Sequence, residues 1–338
     1  MTDRKAELKQ WLDGLGYQNY TLEIASEDAS FRRYFRLQQG DNSWIVMDAP
    51  PEKEPCDAFV NIAKKLTAIR LNAPEIIHQN HDLGFLVLTD FGDESFLQAL
   101  TPENANSLYG DAKSAILQMQ TRINADDLPV YDEALLRQEM DLFKEWFLEK
   151  LLKIELTPNQ LGLWQMTVDT LVKSALEQPQ VFVHRDFHSR NLMNVGSVTS
   201  GETSGRNPGI LDFQDAVKGP VTYDLVSLLR DCYIDWPEPQ VDQWALDFYD
   251  FAVLDHLEGV SASQFMRWFN LMGVQRHLKA IGIFSRLKLR DGKDQFVGDI
   301  PRIINYLKII GTSEMTMVGL NALINELSLG FRVKTLIR

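Results

Sequence analysis

The chain has 338 residues, which at roughly 150 per domain allows two domains or lobes. Hydrophobic residues make up 45% and charged residues 24%, enough apolar surface to exclude a disordered chain. Lys plus Arg total 34 against 47 for Asp plus Glu, and the formal charge of −13 argues against nucleic acid as a partner.

No stretch approaches the ~18 uncharged apolar residues that span a bilayer, so no membrane partner is expected. The opening MTDRKAELKQWL mixes charges with apolar positions and lacks the apolar core of a secretory signal. Cys56 and Cys232 form no paired motif, which leaves neither a disulfide framework nor a thiolate metal site. A cytoplasmic location is the expectation.

A helix is expected over about 3–13, ending at Gly14 and Gly16. Phe31–Leu37 and Ser43–Asp48 flank Gly40-Asp41-Asn42 and read as a β-hairpin, with Pro50 and Pro51 stopping its second strand. Phe59, Ile62, Ala63, Leu66 and Ile69 share one face of a helix over 56–70. Short apolar runs at 75–78 and 84–89 complete a small sheet. After Gly92, residues 103–122, 133–152 and 159–177 have the three-and-four spacing of long amphipathic helices. Helical patterns return from about 240 to the end. Between them, 180–225 holds strand-like VFVH, LMNV and GILDF, and the Gly/Ser/Thr-rich 196–209 reads as a hairpin tip or loop.

The chemistry concentrates in HRDFHSRNLM (184–193) and ILDFQD (210–215). Phosphoryl transfer needs a carboxylate to take the proton of the attacking hydroxyl. It also needs oxygen ligands for a magnesium ion on the nucleotide phosphates, and Asp186, Asn191 and Asp212 supply those types in order. His184 and His188, four apart, have the spacing of helical zinc ligands, but no H-E-x-x-H occurs and their neighbours favour a loop. Asp186 and Asp212 have the alternative reading of turn-capping aspartates. No G-x-x-x-x-G-K-[ST] occurs, which excludes a P-loop enzyme at motif level.

H-x-D-x-x-x-x-N followed by an apolar strand and D-F, with G-P-x-x-Y-D-L at 219–225, resembles the aminoglycoside phosphotransferase and choline kinase group. The resemblance implies an α+β, two-lobed, protein-kinase-like fold, with a small β-rich N-terminal lobe over 1–90 and a larger, mostly helical lobe over 96–338. The connector is placed at about 88–95. It also implies ATP and Mg2+ as cofactors, Asp186 as base, Asn191 and Asp212 as metal ligands, and Asp224 as a brace of the catalytic loop.

Asp90-Phe91-Gly92 spells a kinase magnesium motif but precedes the catalytic loop, so the resemblance assigns the backbone near Leu88, Asp90 and Phe91 to the adenine edge instead. The strand Trp44–Asp48 lacks the lysine that kinases place on the α/β-phosphates. Arg32, Arg33 or Lys53 are substitutes, and Arg33 with Ser30 is a candidate phosphate cradle. A nucleotide-binding pseudokinase is the alternative.

DASFRRYFRL, WIVMDAPPEKE, LTDFGD, VFVHRDFHSRNLM and LLRDCY resemble, more specifically, the bacterial anomeric sugar kinases of cell-wall recycling. That resemblance implies phosphorylation at C1 of N-acetylmuramate and N-acetylglucosamine, and passage of the 1-phosphate to a uridylyltransferase. Arg230 is then a candidate for a substrate carboxylate, with Asp231 and Glu139 near the substrate, Trp236 for a sugar face and Gln275-Arg276-His277 a further cluster. An aminoglycoside or amino-alcohol kinase of the same fold remains open.

Overall fold

A computed structural model describes residues 4–27, 31–196 and 207–336. In chain order the first half runs α1 (Arg4–Gly14), β1 (Thr21–Glu27), β2 (Arg33–Gln39), β3 (Asn42–Asp48), α2 (Asp57–Ala68), β4 (Ile76–Asn80), β5 (Phe85–Thr89), α3 (Phe96–Ala99), α4 (Ala105–Arg122) and α5 (Glu133–Leu142). A π-helical segment, Phe143–Leu151, extends α5. There follow α6 (Pro158–Leu176), β6 (Gln180–Val183), β7 (Leu192–Met193), β8 (Gly209–Ile210), β9 (Val217–Pro220), α7 (Tyr223–Leu229), α8 (Glu238–Ala252) and α9 (Ala262–Asp291). Three helices, α10 (Ile300–Ser313), α11 (Val318–Glu326) and α12 (Leu329–Leu336), close the described chain.

Two compact units emerge. The first comprises Met1–Asp111 with Arg190–Asp215, the second Ala112–Ser189 with Ala216–Arg338. The expected boundary at 90–96 separates the chain at a different place, and residues 190–215 join the first unit although they follow the catalytic loop in sequence.

The first unit is built on an antiparallel sheet of order β1-β2-β3-β5-β4. The hairpin read from Gly40-Asp41-Asn42 is β2–β3, in register from Arg33 opposite Asp48 to Gln39 opposite Asn42. Leu8 and Leu12 of α1 pack on Phe35, Leu37, Val46, Phe85 and Val87, every second residue of their strands. At 11 residues α1 is too short to be stable alone, and burying the two leucines, at roughly 1.5–3 kcal/mol each, docks it. Strand β1 went unread in the sequence because it is an exposed edge: Ile24 is 63% accessible, so no apolar alternation marks it.

The second unit is mostly helical, with the two-stranded β6–β9 pair inserted. Its axis is α9, 30 residues packed against α5, α6, α7, α10 and the π-helical segment. Gly282 permits a close approach to the end of α5, since a Cβ there would stand 2.7 Å from the Leu142 carbonyl oxygen. The single helix expected over 133–152 is α-helical only to Leu142, and the widened π turns begin where α9 presses. Among the described residues no helix is long and apolar enough to cross a membrane.

Candidate active site

Within the second unit, β6 delivers the chain to His184, and the two amides that leave its end are collected by one carboxylate. Asp224, in the first turn of α7, accepts the His184 N–H at 2.7 Å and the Arg185 N–H at 3.0 Å. Arg185 sits at φ +77, a conformation that costs a non-glycine residue on the order of 1–3 kcal/mol. That turn sets the direction of Asp186. The ring Nδ1 of buried His184 accepts the Asp186 N–H at 3.3 Å, so this histidine serves the loop. Among the described residues no three His, Cys, Asp or Glu side chains gather as a metal site.

Beneath the loop lies a buried ion cluster centred on Glu139 of α5. Its carboxylate accepts from the Tyr131 hydroxyl and the Arg185 guanidinium, and the Lys279 ammonium of α9 lies 3.1 Å away. Gln275 adds a hydrogen bond to the Tyr131 oxygen at 3.0 Å, and Lys279 one to the Tyr223 oxygen at 3.0 Å. Burial pushes the Glu139 carboxyl up, but Lys279 and Arg185 outweigh it and hold the group below its ordinary value. Two cations against one carboxylate leave positive charge over. That charge acts on Asp186: burial alone would raise its pKa, and Lys279, His188, Arg276 and Arg185 together depress it. Asp186 is therefore ionised at neutral pH and able to accept a proton.

Asp186 opens into a pocket of about 480 Å³ of empty space, open solvent included. His188, Arg276, Lys279, Tyr233 and Phe284 share its wall. The His188 ring meets Tyr233 edge to face at 5.5 Å, and Tyr233 lies tilted on Phe284 at 6.1 Å. Aromatic faces beside cations and a carboxylate suit a small polar ligand that also has an apolar side.

In the first unit, Asn191 and Asp212 are brought together by the β7–β8 pair, which sets Leu192 opposite Ile210. The Leu211 N–H bonds the Asn191 carbonyl at 2.9 Å, and the Asn191 Nδ2 donates to Asp212 Oδ2 at 3.2 Å. Gln214 Nε2 holds Asp212 Oδ1 at 2.8 Å, and Asp212 takes φ +63. One carboxylate and one amide oxygen fit a hard cation that draws its remaining ligands from phosphate and water, as magnesium does.

Other expected residues have different surroundings. Ser30 lies outside the described residues. Arg32 is buried and pairs with Glu54 at 2.8 Å. Arg33 is half-exposed and, with Arg4, flanks the fully buried Asp48, Arg4 reaching it at 2.5 Å. Two guanidiniums against one carboxylate leave a net positive charge there. Leu88 is buried in β5, and the Phe91 ring packs so close to Gly209 that a Cβ there would come within 2.8 Å of it. The Asp90 carboxylate is gripped by Arg36 at 2.6 Å.

The substrate candidates divide differently from the expectation. Glu139 braces the Arg185 turn from below rather than lining the pocket. Arg230 is not among the lining residues: its guanidinium lies between the rings of Phe269 and Tyr306, 4.5 and 4.6 Å from their centroids, and donates to Asn270 at 2.8 Å. Asp231 accepts the Ser189 N–H at 2.9 Å and the Tyr233 N–H at 3.0 Å, which makes it a splint for the loop ends. Trp236 meets Trp244 edge-on at 5.5 Å. Sequence reading missed Lys279 and Tyr233. Lys279 had a signal, since 274–279 places Gln, Arg, His and Lys where a buried helix should be apolar.

A proton-accepting aspartate on a braced loop, followed in sequence by an Asn–Asp pair fit for a cation, defines an enzyme of the kinase type that transfers phosphoryl groups. Residues 21–259 match the phosphotransferase enzyme family. The chain is 45% identical over 307 residues to the N-acetylmuramate/N-acetylglucosamine kinase of Pseudomonas aeruginosa, covering 90% of this chain and 88% of that one. It is 43% identical over 331 residues to the protein of that name from Neisseria meningitidis serogroup B, covering 96% of each. Among solved structures it is similar to a GDP complex of aminoglycoside 2'-phosphotransferase-IIIa, with TM-score 0.61 and 11% identity over 93% of this chain and 100% of that one. A Plasmodium vivax ethanolamine kinase gives TM-score 0.61 and 11% identity over 88% and 85%. These two likenesses show the kinase-like, two-lobed α+β fold. The chain belongs to the phosphotransferase enzyme family.

Proposed function

We propose that the protein is an ATP- and Mg2+-dependent kinase that phosphorylates the anomeric C1 hydroxyl of N-acetylmuramate and N-acetylglucosamine. The observation that carries the reading is 43–45% identity, over nine-tenths or more of this chain, to kinases named for those two sugars. The pocket supports it. Aminoglycosides and amino-alcohols are cations, and Arg276 and Lys279 in the wall disfavour them, whereas a neutral or anionic sugar is accommodated.

Asp186 accepts a hydrogen bond from the C1 hydroxyl and takes its proton as the oxygen bonds to the γ-phosphorus. The bond from that phosphorus to the β–γ bridging oxygen breaks, and ADP leaves. Asp224 and Glu139 hold the Arg185 turn so that Asp186 keeps its direction. Asn191 and Asp212 would hold the Mg2+, which neutralises phosphate charge when bound. Arg33 and the backbone near Leu88, Asp90 and Phe91 are the proposed contacts of the phosphates and the adenine edge. The sugar 1-phosphate is the substrate class of a uridylyltransferase, which would consume it in the cytoplasm, where the ATP pool lies.

The test is a reducing-end assay with Mg-ATP and each sugar. Loss of reducing ends in step with ADP, absent from Asp186→Asn, is the expected result. ADP release with reducing ends intact would place the phosphate on another hydroxyl.

A further inference from the structure

Four polar residues of α9, Gln275, Arg276, His277 and Lys279, are buried in succession, and three of them have ordinary partners. Gln275 donates to Tyr131, the His277 ring donates to the Arg230 carbonyl at 2.9 Å, and Lys279 sits on Glu139 and Tyr223. Arg276 differs. Among the described residues its guanidinium meets one hydrogen-bond acceptor, the Cys232 sulfur at 3.8 Å, and no carboxylate lies close enough to pair with it. A guanidinium has five N–H donors in a planar fork, and since no Arg276 nitrogen is both buried and unpartnered, the donors that the sulfur does not take are left to solvent in the pocket. The neighbouring Asp231 carboxylate is spent on the Ser189 and Tyr233 amides. Only 6% of Arg276 is accessible, so bulk water cannot fully replace a partner, yet the residue lines the pocket that Asp186 opens into.

Resting on the reading above, we propose that Arg276 is the carboxylate receptor of the pocket and sets the enzyme's response to N-acetylmuramate. The two sugars share the C1 hydroxyl and the C2 acetamide. They differ by the lactyl ether on C3, which ends in a carboxylate, and a planar fork matches a carboxylate bidentately. Arg276 and Asp186 border one cavity, so the anion and the reacting hydroxyl are served by the same wall. N-acetylglucosamine offers no carboxylate to the guanidinium, so the charge that Arg276 sets beside Asp186 serves both sugars and the fork serves one.

Steady-state kinetics of Arg276→Gln and Arg276→Lys on both sugars test this. In Arg276→Gln the loss of charge beside Asp186 lowers turnover of both sugars alike, while KM for N-acetylmuramate alone rises about 10²-fold, the scale of losing a buried charged partner, so the preference between the sugars shifts by that factor. Arg276→Lys keeps the charge without the fork and falls between. An unchanged preference between the sugars overturns the assignment and leaves the kinase reading intact. A measurement on the unaltered enzyme guards against a misfolded variant: the methyl ester of N-acetylmuramate, which has no charge, is bound about 10²-fold more weakly than the acid. Equal KM for ester and acid overturns the proposal. Failure of the unaltered enzyme to phosphorylate either sugar removes the functional reading, and this inference with it.

Discussion

Asp224 holds Arg185 in a left-handed backbone turn by accepting its N–H at 3.0 Å, while the same carboxylate takes the His184 N–H at 2.7 Å. The anchor is buried, and burial together with the charge of Asp186 pushes its pKa up to about 7 against the pull of the two amides. An unfolded aspartate titrates near ~3.9, so between that pH and about 7 the native state binds more protons than the unfolded one. Stability therefore falls as pH rises through this window, by up to ~1.4 kcal/mol per pH unit, and levels off above it. In Asp224→Asn that slope is lost, and one buried amide loses its acceptor at a cost of ~1–3 kcal/mol. Urea melts of both proteins from pH 5 to 8 check the difference in slope. Parallel curves would count against the buried titration.

For Asp186, the proposed base, the environment makes a prediction beyond loss of activity. Asp186→Asn lowers kcat by ~10²–10⁴-fold with nucleotide affinity retained, the usual scale for a general base. Because nearby cations hold the carboxyl below its ordinary range, the acid limb of kcat/KM falls below the range of a free aspartate. Lys279→Met removes the foremost of those cations and moves the limb to higher pH. A limb that stays in place in Lys279→Met would show that the charge balance around Asp186 has been misjudged.

Asn191 and Asp212 are predicted to act on the metal–nucleotide complex. Asp212→Asn removes the one charge of the pair, so calorimetry should show Mg-ATP binding weakened by tenfold or more, while ATP without metal binds as before. Asn191→Ala removes a neutral ligand and has the smaller effect. Equal Mg-ATP affinity in Asp212→Asn and the unaltered protein would contradict the ligand role.

The proposed core of the site could be read as a pattern because phosphoryl transfer needs oxygen-bearing residues in a fixed order, and 184–191 and Asp212 spell that order. Asp224 was legible only through the family resemblance of its motif at 219–225, which implied a brace, and its bonds to the His184 and Arg185 amides have that form. Partners drawn from distant elements were not. Glu139 looked like a residue facing the substrate because it interrupts an apolar helical face, but that interruption meets Arg185 and Lys279 from elsewhere in the chain. Arg230 had two readings, an anion receptor or an ordinary salt bridge; Glu238 lies 3.5 Å from it, and the rings of Phe269 and Tyr306 that enclose it lie far along the sequence. In the fold, periodicity found α1, α2 and the β2–β3 hairpin. It could not find β1, whose exposed face lacks the pattern, nor the change from α to π winding after Leu142, where Gly282 of α9 lies close.

The strand Trp44–Asp48, which lacks the lysine that kinases place on the phosphates, ends in Asp48. That carboxylate is fully buried, with Arg4 at 2.5 Å and Arg33 beside it on the facing strand. Asp48→Asn takes the charged acceptor from two guanidiniums that water can partly reach, and should cost ~1–3 kcal/mol of stability. Arg33→Ala should cost under ~1 kcal/mol, since Arg33 is half-exposed and Arg4 keeps Asp48 paired. Its effect belongs instead in KM for ATP: a cation that helps hold the phosphates raises KM about tenfold when removed, with kcat for either sugar little changed. Thermal melts and ATP titrations of the two variants separate the roles. If Arg33→Ala leaves KM for ATP unchanged while lowering stability as far as Asp48→Asn does, Arg33 is only a clamp on Asp48, and the missing lysine has no substitute on this strand pair.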